Sequence, residues 1–213
     1  MMAVLDQKDH RIVVPDNIDD DLLSYLLTFD VMAAFRHTRT DNKNVLCHGD
    51  FHMWNVAFDK DNKDLVLFDF QEIHRGHFAN DIHHYLSQTT TPKDRAKNLD
   101  GYLNAYSKSF NDTAKRLELT ECETHPFKNV KAAYKVQSPI SYVCGMNFLL
   151  RRFVEDDEMY ARMEATDTSK EKLELFTKVG DEKEVWSILQ VIFDLVGELE
   201  AMGTFEITKQ LEA

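Results

Sequence analysis

The sequence predicts an α+β chain, mainly helical, with one small β-hairpin. Three observations carry that reading. Val56-Ala57-Phe58 and Leu65-Val66-Leu67-Phe68 are short apolar runs, and Asp59-Lys60-Asp61-Asn62-Lys63-Asp64 between them is polar and turn-prone. That pattern reads as two strands and a connecting turn. Apolar residues recur at helical spacing through most of the remaining chain. At 213 residues the chain is also long enough to form one domain, burying about 70 % of its extended-chain surface.

The helices follow in order. Leu22, Leu23, Leu26, Phe29 and Ala33 mark a first helix, with Asp16 and Asn17 as caps. Leu99, Tyr102, Leu103, Tyr106, Phe110, Ala114 and Leu117 mark a second. Pro139 breaks or starts an apolar helix running to about Val154, since proline is tolerated only in a first helical turn. Val185, Ile188, Leu189, Ile192, Leu195, Val196, Leu199 and Met202 mark the last. The charged stretch from Asp156 to Lys172 reads as a surface loop or frayed helix. Residues 1–213 thus read as a single unit, with the hairpin region at 45–86 and a helical remainder at 95–205.

The chemistry concentrates around the hairpin. Asp50 and Asn55 in Cys47-His48-Gly49-Asp50-Phe51-His52-Met53-Trp54-Asn55 are five apart. On a helix that spacing points them apart, and on a strand it puts them on opposite faces. They converge only if the stretch between them loops back. Asn55 precedes the first strand and Asp69 follows the second, so antiparallel pairing brings those ends together. An amide oxygen and a carboxylate so placed suit Mg²⁺, a hard ion that takes oxygen ligands and keeps phosphates and waters in its other positions. Asp50 is left to accept a proton from an incoming hydroxyl.

The wording Val45-Leu46-Cys47-His48-Gly49-Asp50, Asn55-Val56-Ala57-Phe58, Leu67-Phe68-Asp69-Phe70-Gln71 and Ala79-Asn80-Asp81-Ile82 resembles a known group. It is the choline kinase-like and ecdysteroid kinase-like branch of the aminoglycoside phosphotransferase superfamily. The resemblance is dense from Val45 to Leu86 and weaker through the helical remainder. It implies the C-terminal lobe of a protein-kinase-like fold, with the metal site on the hairpin. It implies Asp50 as catalytic base, Asn55 and Asp69 as Mg²⁺ ligands, ATP as phosphoryl donor, and His48 and Asp81 as supports of the catalytic loop. The acceptor would be a small-molecule hydroxyl, choline-like or on a steroid alcohol. Gly49 in place of arginine and Gln71 in place of glycine argue against a protein kinase.

Residues 1–48 contain no glycine, and only two lysines, Lys8 and Lys43, precede His48. A glycine-rich phosphate loop needs its glycines for close backbone approach. The expectation is therefore a C-terminal lobe without its N-terminal lobe, binding ATP weakly and exposing a partly apolar surface where that lobe would sit. A catalytically inactive kinase-like scaffold is the rival reading.

Six of the nine histidines fall between His48 and His84, which raises a metal-dependent hydrolase as a further alternative. Zinc needs three or four converging ligands. The hairpin reading leaves His74, His77, His83 and His84 on a separate segment, so most are expected to be structural or solvent-facing. Trp54 is expected to pack under the loop.

Net charge is −12, and residues 155–213 hold sixteen acidic against six basic residues. That disfavours nucleic acid and anionic membranes as partners. The acidic tail reads as a solvated helical surface. Cys47, Cys122 and Cys144 are odd in number and widely spaced, which suits a reducing compartment rather than a disulfide framework. The first residues lack a basic region and an apolar core, and the longest apolar stretch, Tyr142 to Leu150, is too short to span a membrane. The expected localisation is cytoplasmic.

Overall fold

The computed structural model describes residues 44–61, 64–119, 125–141, 144–145, 165 and 182–207, with backbone alone at 44 and 182–189. The expected first helix, the charged stretch 156–172 apart from Ala165, and most of the apolar helix after Pro139 lie outside the described residues.

Two small antiparallel sheets lead into helices. β1 (Asn44–Cys47) pairs with β4 (His74–His77), with Val45 opposite Gly76 and Cys47 opposite His74. β2 (Val56–Phe58) pairs with β3 (Leu65–Leu67), with Val56 opposite Leu67. The second pair is the expected hairpin. The first corrects the expectation of one hairpin: His74-Arg75-Gly76-His77 shows no apolar alternation, and its partner is thirty residues away along the chain. Gly76 has a packing reason, because a Cβ there would lie 3.1 Å from Cys47 Sγ.

Three helices form the described core beside these sheets. α1 (Phe78–Thr89) begins where the His77 ring accepts a hydrogen bond from the Ala79 amide at 3.1 Å. α2 (Pro92–Arg116) starts on a Thr91 cap, whose hydroxyl accepts from the Asp94 amide at 3.1 Å, with proline in its first turn. Lys115 and Arg116 sit in its last turn, where cations suit the negative end of the helix dipole. α3 (Phe127–Val136) follows. Phe78, Ala79, Leu86, Leu103, Val130 and Tyr134 are the buried cluster these three share.

α4 (Glu182–Ala201) closes against α2 and contributes buried Phe193, Leu195, Val196 and Leu199. A buried ion pair fixes that contact. Arg95, 3 % exposed, donates to both Glu198 carboxylate oxygens and also to the Leu86 and Thr90 carbonyls. One guanidinium thereby ties α4 to the end of α1. His83, fully buried on α1, is held between the Ser141 hydroxyl and the Tyr134 carbonyl. Among the described residues no helix is long and apolar enough to cross a membrane.

The β2–β3 hairpin stands away from this core. Phe58, Leu65 and Val66 are all exposed, as are the neighbouring Phe68, Phe70 and Ile73. Apolar strand residues normally mark a buried face, and here the strand side chains Phe58, Leu65 and Val66 are exposed instead.

Candidate functional site

The loop between β1 and β2 folds back on itself. The His52 amide donates to the Asp50 carbonyl at 3.1 Å, and the Asn55 amide to the His52 carbonyl at 3.0 Å. A short 3₁₀ turn, Met53–Asn55, completes the reversal. Buried Asn55 then reaches Asp50: its Nδ2 donates to the Asp50 carbonyl at 2.9 Å and lies 3.3 Å from Asp50 Oδ2. The side-chain amide nitrogen thus faces Asp50, with His52 Nε2 a further neighbour at 3.4 Å.

Asp69 reaches the same end of the hairpin. The Phe68 amide donates to the Asn55 carbonyl at 3.2 Å, one step beyond the Val56–Leu67 pair, and Asp69 is the next residue. Asp69 is left-handed, with φ 63 and ψ 60, and a 3₁₀ turn at Phe70–Glu72 follows it. Left-handed backbone is uncommon outside glycine but favoured for Asp and Asn, and such positions cluster at functional sites.

Behind the loop lies Asp81, inside the first turn of α1. Its Oδ2 accepts from the His48 amide at 2.7 Å and its Oδ1 from the Gly49 amide at 3.1 Å. His77, and not Asp81, caps that helix. Gly49 itself is left-handed at φ 87, and a Cβ there would lie 2.1 Å from the Glu72 carbonyl oxygen. Only glycine lets the loop pass so close to the segment after Asp69. His48 is buried, its Nε2 3.0 Å from the Phe68 carbonyl. Because a carbonyl only accepts, Nε2 carries the proton. The ring also packs against Phe70, centroids 4.8 Å apart. His48 therefore joins the loop to the strand that delivers Asp69.

Two histidines face Asp50. His52 Nε2 is 3.3 Å from Oδ2, and His84 Nε2, from α1, is 3.7 Å from Oδ1. The expectation that His84 lies apart from the loop is corrected here. Its helix packs under the loop, and nothing local in the sequence encodes that contact. Burial pushes the His84 pKa below the usual histidine range, against the pull of the Asp50 charge. Trp54 is also not packed under the loop: it is 58 % exposed, edge-on to His52. Among the described residues no three His, Cys, Asp or Glu side chains are grouped to hold a metal ion. The histidines are dispersed instead, His83 into the core and His77 onto a helix start.

Asn55 and Asp69, which flank the hairpin, carry oxygen donors: an amide oxygen and a carboxylate. That donor chemistry fits a hard divalent cation. The buried thiols of Cys47 and Cys144 are both pushed up to about 12, chiefly by burial. Neither thiol is a nucleophile at neutral pH.

No curated protein and no solved structure matches the chain. The model of the ecdysteroid kinase-like family matches residues 17–119, somewhat under half of the chain. Asp50, Asn55, Asp69 and Asp81 all fall inside that stretch. Over residues 17–119, then, this chain is similar to the ecdysteroid kinase-like family, a kinase-like family, as the wording of its loop and hairpin implies.

Proposed function

We propose that this site serves transfer of the ATP γ-phosphoryl group to a hydroxyl of a small acceptor. The observation that carries the reading is the meeting of Asp50, Asn55 and the Asp69 end of β3 at one corner, with Asp81 holding the loop from behind. Asp50 orients the acceptor hydroxyl and takes its proton. Asn55 Oδ1 and the Asp69 carboxylate would hold Mg²⁺, which when bound offsets phosphate charge. Asn55 has a second duty, since its Nδ2 fixes the turn that presents Asp50. The work of these side chains is positioning and electrostatic. The acidic surface tolerates a cationic acceptor such as a choline-like alcohol, while the exposed apolar residues around the hairpin suit a steroid alcohol. Buried free thiols at Cys47 and Cys144 fit a reducing, cytoplasmic setting.

A catalytically inactive kinase-like scaffold is the second reading, in which Asp81 and His48 hold the loop as structure alone. One experiment separates them: Mg²⁺-dependent phosphate transfer from ATP to a panel of small alcohols, with calorimetric titration of Mg²⁺–ATP. Under the kinase reading Asp69→Ala abolishes metal-dependent turnover. Asp50→Ala lowers the rate about 10²–10⁴-fold, the usual worth of a positioned base. Turnover by Asp50→Ala at the unmodified rate would sink the reading. No detectable transfer, with or without nucleotide binding, selects the scaffold.

A further inference from the structure

We propose that His84 is a positioning residue for Asp50, holding one carboxylate oxygen from α1 while the loop holds the other. The role rests on the reading of Asp50 as the base.

The geometry divides the two oxygens. Oδ2 is shared by His52 Nε2 at 3.3 Å and Asn55 Nδ2 at 3.3 Å, both from the loop itself. Oδ1 has His84 Nε2 at 3.7 Å, from an element thirty-four residues away. That is longer than a formed hydrogen bond but close enough for a substantial charge–dipole interaction in a partly buried site. Contacts of this kind commonly tighten only when substrate arrives.

Contacts within the loop fix the carboxylate relative to the loop, whereas a contact from α1 fixes it relative to the packed helix. A ring on a packed helix supplies an external reference. α1 is well placed to do so, since Asp81 on the same helix already holds the His48 and Gly49 amides. His84 lies three positions after Asp81, which puts them on one helix face. The helix therefore grips the loop backbone with one side chain and the functional carboxylate with the other.

The groups facing His84 are few. Asp50 and His52 come from the loop, Asp81 from its own helix, and the Gly49 backbone carbonyl is a second hydrogen-bond acceptor for the ring, competing with Asp50 for its N–H. The Cys144 thiol is within electrostatic reach of Asp50 and Asp81 and is neutral. The neutral ring has one N–H. If His84 holds Asp50, that proton sits on Nε2.

The test is nuclear magnetic resonance of the nucleotide-free chain with labelled histidine. In the unmodified protein the neutral His84 ring should be the Nε2–H tautomer, read from its two- and three-bond ¹⁵N–¹H couplings. An Nδ1–H tautomer overturns the proposal and needs no variant. In Asp50→Asn, whose shape is conserved, the His84 titration midpoint should fall further, because the raising influence of the Asp50 charge is gone. A midpoint that does not move also overturns it. A ring that served only to fill space would hold no fixed tautomer, so the midpoint reports the proximity of the Asp50 charge and the tautomer reports the contact. Both readouts are taken without ATP. A chain that shows them and transfers no phosphate counts against the kinase reading alone, and a chain that transfers phosphate without them counts against the positioning role alone.

Discussion

Gly49 shows how much one residue sets at this site. Its φ of 87 and its approach to the Glu72 carbonyl are both closed to a side chain. Gly49→Ala should therefore destabilise by at least about 1 kcal/mol and separate the loop from the Asp69 segment. Urea unfolding gives the first quantity, and faster exchange of the His48 and Gly49 amides reports the second. Wild-type stability in this variant would show that the loop is not clamped there. The thiols offer a second test at this scale. With pKa values near 12 and almost no exposure, Cys47 and Cys144 should resist iodoacetamide at pH 8 in the native state. Mass spectrometry should find them alkylated only under denaturing conditions, and rapid native labelling would contradict their burial.

Among the described elements, α1 joins the site to the core. It caps on His77, grips the loop through Asp81, meets Asp50 through His84, and places His83 in the core. Its far end is held by Arg95, which also binds Glu198 of α4. Removing one partner of a buried pair leaves an uncompensated charge, worth about 3–5 kcal/mol. Glu198→Ala should cost that much in chemical denaturation. Replacing both, as Arg95→Met with Glu198→Leu, should recover much of it, because an apolar pair leaves no orphaned charge. If Glu198→Ala unfolds at the wild-type midpoint, the pair is not what holds α4 to α1. The hairpin is the opposite case. It is tied to the loop through Phe68 and Asn55 and exposes its apolar side chains.

For the molecule as a whole, one buried histidine makes stability depend on pH. His83 is completely buried and its pKa is lowered from 6.5 to about 3, chiefly by burial. The folded state then binds fewer protons than the unfolded state between those values. Its contribution to stability is complete above pH 6.5 and is lost as the pH falls toward 3. The slope from this one group is at most about 1.4 kcal/mol per pH unit. Denaturation midpoints measured from pH 7 to pH 4 should fall, and His83→Leu should fall less steeply whatever its starting stability. An equal slope in the variant would assign the acid sensitivity to other groups.

Much of this was legible in the residues. The polar turn between two apolar runs named the hairpin, and the spacing of Asp50, Asn55 and Asp69 required a folded-back loop, because those relations are local. The helices over 92–116 and 182–201 followed from apolar periodicity for the same reason. The pairing of β1 with β4, the edge-on exposure of Trp54 and the approach of His84 to Asp50 were not legible. Each depends on which elements pack together across tens of residues, and no local pattern in His74–His77 or His83-His84 records that choice. Sequence by itself determined which chemical groups the loop and hairpin bring, since short-range geometry leaves them one way to converge. Tertiary packing alone decided which of two adjacent histidines enters the core and which faces the carboxylate, because burial and long-range contact, not residue type, distinguish the His83 and His84 rings.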